Sequence, residues 1–180
     1  KGVLLLTGYL GHKYGQGFPV SISANIAIEQ SYGHIDGDSA SMAELCALIS
    51  AITSLPIDQS IAITGSINQH GEVQSIGGVN EKIEGFYRLC KDEGLTGKQG
   101  VIIPKTNVIN LMLEQDVIDA VAKGQFHIYA VEGIDQALEI LMGTPAGEIS
   151  RTGRYPRKSI HGMALNKLQA FADLLHGPEE

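Results

Sequence analysis

Between Gly100 and Met142 the chain switches its hydrophobic period repeatedly, and this limits the possible folds more than any other feature. Gly100 to Ile103 is a short apolar run closed by Pro104, and Phe126 to Val131 is a second. Short β-branched or aromatic runs bounded by breakers suit strands. Asp116 to Ala122 and Ile134 to Met142 instead space their apolar residues as helices do. The interleaving continues upstream. Val3 to Leu6 reads as a short strand and the glycine-rich stretch from Gly8 to Gly17 as a loop or hairpin. Val20, Ile22, Ala24, Ile26 and Ile28 alternate with polar residues, which predicts a half-buried strand from Val20 to Ile28. Gly33 to Asp38 is a predicted turn. Ser39 to Ser54 reads as a helix, with Ser41 and Glu44 at capping-box spacing and Pro56 beyond its end. Ser60 to Ile67 is a predicted strand, Gly71 to Ile76 completes a hairpin, and Gly77-Gly78 precedes a helix that runs to Cys90. Val108 to Met112 is a further predicted short helix. Helices and strands are mixed throughout, so the expected class is α/β (α+β), a mixed sheet with covering helices.

The 180 residues are enough for one domain with a sizeable core. Residues 1–143 are expected to form it. From Thr144 to Ser159 the chain becomes rich in glycine, proline and basic residues, an irregular linker. Ile160 to Leu175 then reads as a terminal helix, so residues 144–180 form a linker and helical tail packed on the domain or extending from it. The chain starts at Lys1 rather than at Met, which suggests a fragment or a processed product. Its basic and then apolar start is too short for a signal peptide, and no apolar run approaches the roughly 20 residues that span a bilayer.

A net charge of −7 with no basic block argues against nucleic acid as a partner. Gly94-Leu95-Thr96-Gly97 has the spacing of a nucleic-acid clamp, but only Lys98 is basic just beyond it. Cys46 and Cys90 lie on predicted helix faces and read as buried free thiols in a reducing cytosol. With no Cys-x-x-Cys, no His-Glu-x-x-His and no phosphate-cradling glycine loop, neither a metal nor a nucleotide is expected on this chain.

Two residues carry the chemistry. Val79, Ile83, Phe86 and Cys90 form an apolar stripe, and Lys82 falls three residues after Val79 and four before Phe86, on the same stripe. A lysine there must snorkel, pair with a charge or give up its proton, and the third choice makes a base. Ser39 sits at a predicted helix start, where unpaired main-chain amides and the helix dipole favour negative charge. Ser41 already offers a capping box, so Ser39 is spare. A serine needs a base to become a nucleophile. Lys82 is one candidate, and His34, in a glycine-bounded turn, is the rival.

Gly37-Asp38-Ser39-Ala40-Ser41, Thr64-Gly65-Ser66, the stretch from Gly71 to Val79, Glu81-Lys82, Ile103-Pro104-Lys105-Thr106-Asn107 and the stretch from Phe126 to Val131 occur in an order that resembles the proteolytic domain of Lon proteases. The resemblance runs from about Gly2 to Gly143. It implies a serine endopeptidase with Ser39 as nucleophile, Lys82 as general base and Thr64 helping to hold the lysine. Asp38 matches the acidic residue of the LonB-like branch and of its Lon-related bacterial members. The major bacterial type has proline at that place and glycine at the place of Ser41. That departure leaves three roles for Asp38: pairing with Lys82, capping the helix, or obstructing the site. The resemblance also implies a cytoplasmic homo-hexamer that degrades unfolded proteins, with ATP and magnesium held by an ATPase module outside this chain. A non-catalytic assembly or substrate-holding module of the same fold is the alternative.

Overall fold

A computed structural model describes residues 2–29 and 37–176. Its elements in order are α1 (Gly2–Tyr14), α2 (Ser41–Thr53), β1 (Ile61–Ile63), β2 (Ser66–Ile67), β3 (Val73–Gln74), α3 (Val79–Glu93), β4 (Gly100–Pro104), a 3-10 turn (Lys105–Asn110), α4 (Gln115–Ala122), β5 (His127–Val131), α5 (Ile134–Met142) and α6 (Ile160–His176). Strands β1, β4 and β5 form a parallel sheet in that order, and β2 and β3 form a separate antiparallel ribbon.

Every residue of the central strand β4 is buried. It reads as a continuous apolar run because both of its faces are covered. Its side chains alternate between two cores. Ile102 joins the cluster built by α1, α2, α5 and α6, while Val101 and Ile103 join the one built by α3, α4 and Phe126. This is the α/β class that the mixed periods predict: helices on both faces of a small, mostly parallel sheet. Cys46 falls in the first core and Cys90 in the second, both as free thiols. Burial pushes the Cys46 thiol up to about 12.

Several elements differ from their sequence reading. Residues 2–14 form one helix rather than a strand and a loop. Leu6, Tyr9, Leu10 and Tyr14 are buried at helical spacing, and their packing outweighs the helix-weakening glycines at 8 and 11. Val20 to Ile28 has no ladder partner among the described residues, and residues 23–29 are exposed. The run from 60 to 67 is two strands in two sheets, broken at Thr64-Gly65. The helix expected from Val108 is instead the 3-10 turn Lys105–Asn110. The predicted turn from Gly33 and the end beyond His176 lie outside the described residues, apart from Gly37 and Asp38.

The capping box at the start of α2 does not form. Ala40 occupies the N-cap position with no side-chain hydrogen bond. The Ser41 hydroxyl donates to the Asp38 carbonyl at 2.8 Å and accepts from the Ile67 amide at 3.1 Å. Beyond the irregular stretch after Met142, α6 places Ile160, Ala164 and Leu168 in the core shared with α1, α2 and α5. Among the described residues no helix is long and apolar enough to cross a membrane.

Candidate active site

Ser39 is held through its main chain. Its carbonyl accepts from the Gly65 amide at 2.9 Å, and the Gly65 carbonyl accepts from the Met42 amide at 3.2 Å. Gly65 therefore brackets the start of α2 from both sides. A Cβ at this position would come within 2.5 Å of the Met42 Cε. Thr64, just past β1, donates its amide to the Ile102 carbonyl at 3.0 Å, which ties this junction to the central strand. The break in the 60–67 run thus places Ser39 at the C-terminal ends of the parallel strands. Ligand crevices form at these ends in open α/β sheets.

Lys82 comes from the first turn of α3. Gly78, with a φ of +68°, turns the chain into that helix, and its carbonyl accepts the first helical bond from the Lys82 amide at 3.1 Å. The Lys82 Nζ donates to the Ser39 Oγ at 3.0 Å and to the Thr64 Oγ1 at 3.3 Å. Thr64 is buried, so it is not a strand threonine facing solvent. The three side chains line an open groove of about 330 Å³, with Ala40, Ala43, Ala62, Ile63 and Val101 supplying its apolar wall.

Lys82 is not on the buried stripe. The buried residues of α3 are Val79, Ile83, Tyr87 and Cys90, while Phe86 is half-buried and Lys82 is exposed. At about 100° per residue the true stripe centres between Ile83 and Cys90, which leaves Lys82 about 90° away, on its flank. Centring the stripe on Phe86 instead of Tyr87 produces the error. The amine reaches the groove from the side of the helix, not from beneath it.

Asp38 makes no ion pair with Lys82 among the described residues. Its main-chain carbonyl accepts from the Ser41 amide and hydroxyl, at 3.0 and 2.8 Å. The rival base His34 lies outside the described residues. The buried His161 is committed elsewhere, to Tyr14 and Asp135. Among the described residues no group of three or more potential ligands is placed to hold a metal ion. The supporting roles of Gly65 and Ser41 are invisible to spacing arguments, although the glycine that interrupts the apolar run was a visible signal at the first.

A hydroxyl against an amine, at the rim of a groove beside parallel strand ends, is chemically suited to acyl transfer on a chain laid along that groove. Comparison with known proteins agrees with a hydrolytic α/β domain of this class. The chain belongs to the family of Lon protease (S16) C-terminal proteolytic domains, whose family model matches residues 16–144. It is 50% identical over 142 residues to a protein of Escherichia coli (strain K12) named "Putative Lon protease homolog", covering 79% of this chain and 24% of that protein. It is 46% identical over 173 residues to a protein of the same name from Haemophilus influenzae, covering 96% of this chain and 29% of that protein. An "Archaeal Lon protease" of Archaeoglobus fulgidus is 37% identical over 119 residues, covering 66% of this chain and 17% of that protein. The matched part of the chain thus spans 24% and 29% of the length of the two bacterial relatives.

Proposed function

We propose that this chain is the serine endopeptidase domain of an ATP-dependent Lon-type protease, with Ser39 as nucleophile and Lys82 as general base. The 3.0 Å contact between the Lys82 Nζ and the Ser39 Oγ is the observation that carries this reading. In the neutral form of Lys82 the amine takes the Ser39 hydroxyl proton as the Oγ bonds to the peptide carbonyl carbon. The positive end of the α2 dipole stabilises the developing oxyanion, the Ser41 and Met42 amides there being already bonded to the Asp38 and Gly65 carbonyls. Lys82 then returns the proton to the leaving amine as the C–N bond breaks, leaving an acyl-enzyme on Ser39. Lys82 next deprotonates a water molecule, whose attack releases the second product and restores the serine. Thr64, the second acceptor for the Lys82 amine, holds it in line.

Membership of a protease family and the groove beside Ser39 support an unfolded polypeptide as substrate. Because the chain covers only part of its relatives' length, we assign ATP and magnesium to an ATPase module elsewhere in the full-length protein. That protein works as a cytoplasmic homo-hexamer, with no nucleic acid required.

Degradation of an unfolded protein such as casein tests the reading. Ser39→Ala and Lys82→Ala are each expected to lose roughly a thousandfold or more in rate while the folded chain persists. Cleavage retained by Lys82→Ala would sink the lysine mechanism. Loss in His34→Ala together with that retention would transfer the base role to His34. Absence of Ser39-dependent cleavage by the wild-type protein would favour the non-catalytic assembly module.

A further inference from the structure

Asn107 is 3% exposed and is used entirely on one residue of another segment. Its Oδ1 accepts from the Ile76 amide at 3.0 Å, and its Nδ2 donates to the Ile76 carbonyl at 2.9 Å. The side-chain amide thus takes the place of a neighbouring strand for a residue that has none there. Ile76 is the last residue before Gly77-Gly78, the turn into α3. Asn80, in the first turn of α3, answers in the other direction. Its Nδ2 donates to the Asn110 carbonyl at 3.0 Å, and its Oδ1 accepts from the Met112 amide at 2.8 Å.

Two asparagines on two segments therefore each grip the other segment's main chain with a donor and an acceptor. The four bonds join the start of α3 to the strap 105–112, which leaves the end of the central strand β4. Lys82 lies two residues after Asn80 and six after Ile76. Its partners Ser39 and Thr64 hang from β1, and the Thr64 amide bonds to Ile102 of β4. Both halves of the pair are thus referred to one strand. The Ser39 half reaches it through Thr64 and Gly65, and the Lys82 half through the asparagine clamp.

We infer that Asn107 and Asn80 are positioning residues that set the reach of the Lys82 amine to Ser39 by fixing the first turn of α3 on the strap after β4. The inference rests on the Ser39–Lys82 reading. An amine on the exposed flank of a helix has no burial to fix it, so the placement of its helix must be fixed from elsewhere. A misplacement of about 1 Å can cost as much as a hundredfold in rate. Asn107→Ala removes the grip. Asn107→Asp keeps the shape but, as a carboxylate, cannot donate to the Ile76 carbonyl. Neither variant removes a group that bonds to Ser39 or Lys82.

The experiment measures the rate of labelling of Ser39 by a serine-reactive fluorophosphonate, together with kcat and KM for a peptide and with thermal melting. The set is wild type, Asn107→Ala, Asn107→Asp, Asn80→Ala, Ser39→Ala and a control, Cys90→Ala. The control destabilises the same helix two turns beyond Lys82. Positioning predicts that the three asparagine variants, still folded at the assay temperature, lose roughly ten- to a hundredfold in labelling and in kcat, with KM little changed. Cys90→Ala should keep its rate. Asparagine variants that melt earlier but label at the wild-type rate would overturn the inference, as would a rate loss matched by Cys90→Ala. Labelling that persists in Ser39→Ala, or is absent in wild type, would instead remove the Ser39–Lys82 reading beneath it.

Discussion

At Thr64 one hydroxyl is expected to matter more for the position of the Lys82 amine than for stability. It is buried beside Ser39, and it is the second acceptor for the Lys82 amine, at 3.3 Å. Its own donor bond, to the Ser39 carbonyl, is long at 3.5 Å. Thr64→Val keeps the shape and removes the hydroxyl, so the amine loses one of its two contacts. Hydrolysis should slow by roughly tenfold while stability changes by about 1 kcal/mol or less, as is usual where little else is disturbed. Peptide turnover and urea melts on the same preparation check this. A stability loss with unchanged turnover would assign Thr64 to the core alone. Lys82 adds a lesson of the same size. Its residue type at helical spacing marked it from the sequence, but whether the stripe runs through Phe86 or through Tyr87 decided whether it looked buried.

At the scale of elements, the start of α2 is fastened by side chains and backbone from outside the helix instead of by a cap. Ser41 is 1% exposed and bridges the Asp38 carbonyl to the Ile67 amide. Ser41→Ala leaves that buried amide without its partner, which costs about 1–3 kcal/mol. The loss should appear as a lower denaturant midpoint with an unchanged slope. A rate defect should accompany it, because the same turn carries Ser39. An unchanged midpoint would mean that another group satisfies Ile67. Helix α3 is fastened by the asparagine clamp in the same manner. Each half of the candidate pair thus sits at a helix start whose placement depends on bonds between residues 26 and 31 positions apart.

Across the whole molecule, α1, α5 and α6 meet at one polar knot at the edge of the core they share, where the Asp135 side chain stays 42% exposed. The fully buried His161 bonds to the Tyr14 hydroxyl at 2.7 Å and to the Asp135 carboxylate at 2.8 Å, and Lys13 approaches Asp135 at 3.5 Å. Burial acts to raise the Asp135 carboxyl, but the His161 hydrogen bond and the His161 and Lys13 charges outweigh it, so the group is held below the ordinary carboxylate range. The sign follows. A depressed folded value stabilises above the unfolded value of about 4 and is lost as pH falls through the folded value. Thermal melts from pH 7 down to pH 2 should show a steep acid limb below about pH 4 in the wild type. Asp135→Asn should melt lower at neutral pH and show a shallower limb. Equal limbs in the two proteins would remove Asp135 from the acid response.

Local pattern determined much of this protein. Apart from the 3-10 turn Lys105–Asn110, the period of each segment from Val79 to Met142 fixed its type, because an amphipathic helix and a buried strand leave different imprints on neighbouring residues. The alternation of types set the α/β class, and the residue chemistry at Ser39 and Lys82 singled out the candidate pair. Only the tertiary structure decided the rest. It broke the 60–67 run between two sheets, left Val20 to Ile28 without a ladder partner among the described residues, and turned the glycine-bearing residues 2–14 into a core helix. It placed Lys82 on a flank, sent the Ser41 hydroxyl to Ile67, and matched Asn107 to Ile76. The physical reason is common to all of these. Periodicity reports whether a residue faces a core, whereas the identity of a hydrogen-bond partner tens of residues away depends on how the whole chain packs.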